Sequence, residues 1–469
     1  MGKPEIETLA LAEWSGGSWH GSPPAKVKGV AHDTRQISSG MLFVAIQGEN
    51  HDGHDFLAEA FASGAVAAMV STMPDPLPGP CLLVDDTIAA MGRIAKGWRS
   101  QSGALFIAVT GSAGKTTVKD MLVHLLSVKY PTVGTSGNWN NIIGLPLCIL
   151  TTPADCQYGV FEVGTNNPGE LRALCEILQP QWGVVTVVGA AHLENFGELS
   201  AIAREKGEVL RCLPDNGKAF INADCEYAAT CAKAVIAPII TVSINDKEAD
   251  YTAIADLDDG SIQVNDPLCP GKRVSVPYSG PREVAHMRNV LLAVAVAREA
   301  GVSWDDVVER MKIFVQSAMR WQKSVAGRWT LINDAYNANP LSMSAALKAL
   351  PAEFAVDHTW LVLGDMLELG SFEESAHRDI GRSLADGNWR GLLAVGRRAR
   401  WIAEEAVVNG YTGENVACFE KAEEAAEFLV KRLRTDDIVF LKASRGIKLE
   451  KIEEHMRLAA GTQEALQSN

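Results

Sequence analysis

Apolar residues along this chain fall into two alternating rhythms. Short unbroken runs, "ALFIAV" (104–109), "YGVFEV" (158–163) and "QWGVVTVV" (181–188), read as buried strands. After the first run, Val118, Met121, Leu122, Leu125 and Leu126 recur at helical spacing, and "PGELRALCEIL" (168–178) reads as a helix between the next two. This order predicts βαβ units and a parallel sheet. The rhythm returns after residue 320. There "WTLIND" (329–334), "TWLVLG" (359–364), "GLLAVG" (391–396) and "DIVFLKAS" (437–444) are separated by helical patterns and predict a second open α/β sheet. Ligands in such sheets sit beyond the carboxyl ends of the strands.

Breaks in the pattern divide the chain. "MPDPLPGP" (73–80) is a loop by its prolines, and the polar "RSQSGAL" (99–105) places a boundary near 103. The expected units are 1–103, 104–318 and 319–469, in keeping with 469 residues, too many for one hydrophobic core. No internal repeat or low-complexity tract stands out, and the tail "GTQEALQSN" (461–469) is expected to fray.

Composition narrows the function. A net charge of −14 without a Lys/Arg run argues against a general binder of nucleic acid or anionic membrane. The N-terminus carries acids and no long apolar core, which does not read as a secretory signal. No stretch approaches the roughly 20 apolar residues of a membrane helix. Nine scattered cysteines without a C-x-x-C pair are expected to be reduced thiols, and the protein to be cytoplasmic.

Candidate chemistry begins at "VTGSAGKTTVKDML" (109–122), glycines between a strand and a helix. Gly111 and Gly114 permit backbone angles that other residues resist, and N–H groups at the helix start favour an anion. Lys115 would reach outer phosphates and Thr116 a Mg²⁺ ion. The match to the Walker pattern is partial, because Val109 stands at its first glycine. Glu162 and His192 end or follow the neighbouring strands, where a carboxylate suits Mg²⁺ and a neutral imidazole suits a second metal ion. Lys206, by itself, reads as an exposed helix lysine, and Asn222 and Asp224 as turn formers. "HDGHD" (51–55) lacks a third ligand and reads as a loop.

Further stretches carry a resemblance. These are "DTRQISSGMLFVAIQGENHDGHDF" (33–56), "GNWNNIIGLPL" (137–147), "NDAYNANPLSM" (333–343) and "LGDMLELG" (363–370) followed by His377. With a phosphate loop of the form T-G-[ST]-x-G-K-[ST]-[ST], the chain resembles the Mur ligases of bacterial peptidoglycan synthesis, in order over nearly its whole length. The resemblance implies three domains: a small N-terminal α/β UDP-binding domain, a central parallel-sheet ATPase domain, and a C-terminal Rossmann-like domain. It implies ATP and two Mg²⁺ ions, a carbamylated Lys206, and a reaction in which D-Ala-D-Ala is joined to UDP-N-acetylmuramoyl-tripeptide by a monomer.

By motif position, the loop residues Thr110, Gly111, Ser112, Ala113, Gly114, Lys115, Thr116 and Thr117 would hold phosphate. Lys115, Glu162, His192 and Lys206 would be catalytic, and Thr116, Glu162, His192 and Lys206 would serve the metals. Asn289, Arg320, Asp334, Tyr336, Asn337 and Asn339 would surround the nucleotide, with Asp334 at the ribose hydroxyls. Thr34, Arg35, Phe56, Asn138, Asn140 and Asn141 would line the UDP-sugar path, and Lys442, Ser444 and Arg445 the incoming amine. Departures from the family pattern fall at Val187, Ile142, Met319 and Asn333, and at His286 and Asn289, which stand three apart instead of four. The alternatives are a Mur-type ligase adding a single amino acid, or a phosphate-loop protein that binds nucleotide without ligating.

Overall fold

A computed structural model describes residues 4–48, 50–385, 387–411 and 415–467, the side chains of 462–467 excepted. Among the described residues the strands form three larger sheets that follow one another along the chain. In the first, Val30–Ala31, Leu42–Val44, Ala67–Val70 and Cys81–Leu83 run parallel, and Ser18–His20 closes one edge antiparallel. The helix Thr87–Gln101 follows, started by Asp86, whose carboxylate accepts from Ile88 and Ala89 N–H. The polar stretch 99–105 is no free linker. Arg99 is buried and donates to Leu178 O at 3.0 Å and to Gln181 Oε1 at 2.8 Å, tying the first unit to the second.

The central sheet has the spatial order 273–277, 261–265, 251–256, 239–243, 218–222, 182–185, 105–110, 158–162, 132–134. Its core strands are parallel, as the apolar runs predict, because helices cover both faces. The sheet is not wholly parallel, however. Tyr251–Asp256, Ser261–Asn265 and Arg273–Pro277 form an antiparallel ribbon on its edge. Strands 251–256 and 273–277 mix buried with exposed residues, and polar residues interrupt 261–265, so no continuous apolar run announces them. The helix Val284–Glu299 is buried from Val290 to Ala297 and packs beside the helix Lys115–Leu126.

The third sheet has the order 322–326, 329–333, 438–442, 359–364, 391–395, 416–419. Only its first strand is antiparallel, joined to the second by a two-residue turn opened by Gly327 at φ 59°. A helix runs from Glu450 to Gln467, through most of the stretch expected to fray, with Ile452 and Met456 in the core of the third unit; residues 468 and 469 lie outside the described residues. No helix among the described residues is long and apolar enough to cross a membrane. All nine cysteines are free thiols. Within the central sheet, connections leave Leu105–Thr110 and its neighbours 158–162 and 182–185 in different directions, which opens a crevice at their carboxyl ends.

Candidate active site

The strand Leu105–Thr110 ends fully buried, and the helix starts at Lys115 after Gly114 at φ 80°. Gly111 sits at φ 151°, and a Cβ there would run into the Thr186 hydroxyl. A Cβ on Gly114 would fall 2.6 Å from Asn289 Oδ1. The loop is therefore shaped by close neighbours as well as by backbone freedom. Val109, where a Walker glycine would stand, belongs to the strand and is completely buried, so no glycine is needed there. The segment after Trp182–Val185 clamps the loop. Ser112 N–H donates to Val187 O at 2.7 Å, Ser112 Oγ to Gly189 O at 2.9 Å, and Thr186 Oγ1 to Ala113 O at 2.5 Å. Thr186 and Gly189 are site-building residues that carry no recognisable motif. Val187 contributes its carbonyl to the loop, a contact that does not depend on the side chain in which it departs from the family pattern.

Charged groups converge above the loop. Thr116 Oγ1 donates to Glu162 Oε2 at 2.6 Å and accepts from Arg320 Nη2 at 2.8 Å; Asn140 Nδ2 donates to Glu162 Oε1 at 2.8 Å. Lys115 Nζ folds back onto Gly111 O at 2.9 Å, and removal of water by the surrounding walls lowers its pKa. Lys206 is not the exposed lysine its local sequence suggests. It is 3% exposed on the helix Leu199–Arg211, and no described residue forms a hydrogen bond or ion pair with its Nζ. Burial first, and then the Lys115 charge, bring its pKa down to about 7. The preceding Glu205 pins the helix by accepting from Gly169 N at 2.8 Å and Leu171 N at 2.9 Å. His192 lies at φ 57°, with Nδ1 2.7 Å from Glu368 Oε2.

The third unit supplies the facing wall. Asp334 pairs with Lys442 Nζ at 2.5 Å and accepts from Trp321 N at 3.1 Å. The Arg320 guanidinium stacks 4.2 Å over the Tyr336 ring. Asn337 Oδ1 accepts from Ala338 N, and Ser444 Oγ from Leu367 N. Asn339 caps the helix Pro340–Ala349, and its Nδ2 donates to Ser112 O at 3.0 Å, joining the third unit to the phosphate loop. Arg445 meets Glu450 at 3.0 Å and the Met319 sulfur at 3.1 Å.

These groups bound one cleft of about 730 Å³. Residues 112–117, Asn138, Asn140, Asn141, Glu162, His192, Lys206, Asn222, Asn289, Arg320, Asp334, Tyr336, Asn337, Asn339, Lys442, Ser444 and Arg445 line it, with Thr110 and Gly111 just beneath. Asn141 Oδ1 also accepts from Ile143 N at 3.1 Å and Gly144 N at 2.8 Å, where the helix Gly144–Leu150 begins. Asn222 Oδ1 accepts from Asp224 N, the expected turn, while Asp224 is taken up by Arg288 at 2.7 Å. Thr34, Arg35 and Phe56 do not line the cleft. Thr34 donates to Glu59 at 2.7 Å, Arg35 pairs with Asp33 at 2.7 Å, and Phe56 stands edge-on to His51, all on the first unit. In "HDGHD", Asp52 caps a turn and bonds His54; no metal-holding group of His, Cys, Asp and Glu occurs there or elsewhere among the described residues.

Two departures find a structural reading. His286 and Asn289 lie three apart on one helix, hence on the same face, and both line the cleft. Met319 adopts φ 59°, a left-handed angle that suits the glycine usual at this position.

Three family models match: Mur ligase family, catalytic domain over residues 26–76; Mur ligase middle domain over 109–297; and Mur ligase, glutamate ligase domain over 319–445. The UDP-N-acetylmuramoyl-tripeptide–D-alanyl-D-alanine ligase of Escherichia coli (strain K12) is 33% identical over 90% of this chain and 92% of its own. The chain belongs to the Mur ligase family. The crystal structure of MurF from Acinetobacter baumannii superposes at a TM-score of 0.87 with 30% identity, covering 98% of this chain and 100% of that one. MurF ligase from Thermotoga maritima in complex with ADP gives 0.78 at 25% identity, covering 93% and 98%.

The donors of this Mur ligase fit Mg²⁺. Glu162, Thr116 and His192 are few, mostly oxygen, and open to the cleft, so water and substrate oxygens would complete the shell that Mg²⁺ prefers.

Proposed function

We propose that this Mur ligase joins D-Ala-D-Ala to the terminal carboxylate of UDP-N-acetylmuramoyl-tripeptide, with ATP converted to ADP and phosphate. The observation that carries the reading is the meeting of two signatures across one cleft: the phosphate loop on the central sheet and the "NDAYNANP" segment on the third, linked by Asn339 and Ser112. The relatives' shared substrate name supports the choice of acceptor.

A carboxylate is a poor electrophile, so the reaction needs an acyl phosphate; the amine of D-Ala-D-Ala then attacks its carbonyl carbon, forms the amide and displaces phosphate. Two anions must approach for the first step. Lys115 and the loop N–H groups neutralise the phosphate side, and Arg320, already hydrogen-bonded to Thr116, adds charge beside it. Thr116, Glu162 and His192 are the residues that would hold two Mg²⁺ ions, which supply charge neutralisation when bound. Asn140 orients Glu162 from behind. Lys206 acts as a carbamate: at pH near 7 about half of its amine is neutral, the form that adds CO₂, and the product is an anion suited to the metal site. Lys442 holds Asp334 in position for the ribose. Thr34, Arg35 and Phe56 bind the UDP end at a distance from the chemistry, and closure of the third unit over the loop excludes water from the acyl phosphate. The enzyme works as a cytoplasmic monomer of three domains, 1–103, 104–318 and 319–469.

The test is phosphate release from ATP with UDP-N-acetylmuramoyl-tripeptide, with and without D-Ala-D-Ala, together with the mass of the product. Release requiring both, with the dipeptide joined, is expected. Turnover with a single amino acid instead would move the chain to another Mur step. Lys115→Ala should abolish product formation; substantial activity in that variant would remove the phosphate-loop assignment.

A further inference from the structure

The "GDMLELG" loop reaches further than its own sheet. Three consecutive residues anchor it to the third unit. Asp365 Oδ1 accepts from Arg398 N at 2.9 Å and Ala399 N at 2.7 Å, Met366 N–H donates to the buried His377 Nε2 at 2.9 Å, and Leu367 N–H to Ser444 Oγ at 3.0 Å. The next residues cross to the central unit. Glu368 presents its carboxylate to His192, and Gly370 lies so close to Glu194 that an added Cβ would sit 2.9 Å from the Glu194 Cβ. Both Glu368 (φ 64°) and His192 (φ 57°) occupy the left-handed region, which non-glycine residues seldom adopt. Two loops from different sheets thus each hold an unfavourable backbone angle where their side chains meet.

The chemistry of the pair sets a direction. A carboxylate only accepts, so at 2.7 Å the proton of a neutral imidazole belongs on Nδ1 and Nε2 keeps its lone pair. No described residue hydrogen-bonds Nε2, and His192 lines the cleft. A carboxylate behind a ligating histidine fixes both its tautomer and its ring orientation.

We propose that Glu368 is a positioning residue: it holds His192 as the Nδ1–H tautomer with Nε2 turned to the metal, so that the second ion's site is complete only when the third unit is docked. This rests on the reading of His192 as a Mg²⁺ ligand. Docking of the "GDMLELG" loop and affinity for the second ion are then two sides of one equilibrium.

The experiment uses the full chain and two readouts other than turnover. Nitrogen-15 NMR of histidine-labelled, metal-free protein, with His192→Asn for assignment, should show the Nδ1–H form in the wild type and the Nε2–H form in Glu368→Ala. Mn²⁺ titration by electron paramagnetic resonance, with a non-hydrolysable ATP analogue, should show the second ion weakened by about 10–100-fold in Glu368→Ala. Glu368→Gln, whose amide oxygen can still accept from Nδ1, should restore the tautomer and most of the affinity. Gly370→Ala, which wedges the loop away from Glu194, should behave like Glu368→Ala. An unchanged tautomer in Glu368→Ala overturns the inference. If His192→Ala leaves the second-ion affinity unchanged, the ligand reading itself has failed and the inference falls with it. If His192→Ala weakens that affinity and Glu368→Ala does not, the inference alone is wrong.

Discussion

Lys206→Met offers the sharpest quantitative prediction, because the lysine is buried and its amine has no hydrogen-bond or ion-pair partner among the described residues. The unfolded chain keeps the proton up to the ordinary lysine value of 10.5, whereas the folded protein keeps it only to about 7. Between these values the unfolded state binds more protons, so stability rises with pH through that window. Below pH 7 the full penalty is present. At 1.36 kcal/mol per pKa unit it amounts to about 5 kcal/mol at pH 6 and falls to about 2 kcal/mol at pH 9, as upper bounds. Methionine fills the same volume without a charge, so Lys206→Met should be more stable than the wild type, most at pH 6 and least at pH 9, while losing ligase activity. The assay is urea unfolding at pH 6, 7.5 and 9 in chelator-treated, CO₂-depleted buffer. A gain that does not change with pH, or a loss of stability at pH 6, would refute the reasoning. Added bicarbonate at pH 7.5 should stabilise the wild type and leave Lys206→Met unchanged, since only the lysine can become a carbamate.

Other substitutions probe the remaining parts of the site. Gly111→Ala drives a methyl into the Thr186 hydroxyl and should weaken nucleotide binding at least about tenfold by calorimetry, a cost of about 1.4 kcal/mol or more. Thr116→Val removes the hydroxyl shared by Glu162 and Arg320; kcat should fall about a hundredfold, with a smaller change in nucleotide affinity under Mg²⁺-free conditions. Asn339→Ala removes a helix cap and the link to Ser112, and should cost about 1 kcal/mol in the unfolding of the third unit and raise the KM for ATP. Met319→Gly relieves a left-handed angle and releases the sulfur from Arg445. It should leave Tm within a few degrees of wild type and increase hydrogen exchange across residues 317–321.

Local patterns carried the parts of this protein that are built from neighbours in sequence. The phosphate loop was legible because strand, glycines and helix follow one another within about 20 residues, and the parallel strands because burial on both faces makes each an unbroken apolar run. The edge strands 251–277 were not legible, since polar and partly exposed positions interrupt each of them and the pattern dilutes. The family resemblance supplied Lys206 as a site residue; its helix alone did not, because nothing within a few residues shows which face the rest of the fold will cover. Tertiary structure decided the partners. Arg320 meets Thr116 across 204 positions of sequence, Asn339 meets Ser112 across 227, and Glu368 finds His192 from another sheet. Thr186 and Gly189 shape the phosphate loop without any motif of their own. Such pairings depend on how separately folded layers dock, a free-energy balance over whole surfaces. Hydrophobic spacing along a single segment therefore specifies the elements of this ligase, while the charges that meet in its cleft are set by the docking of its three sheets.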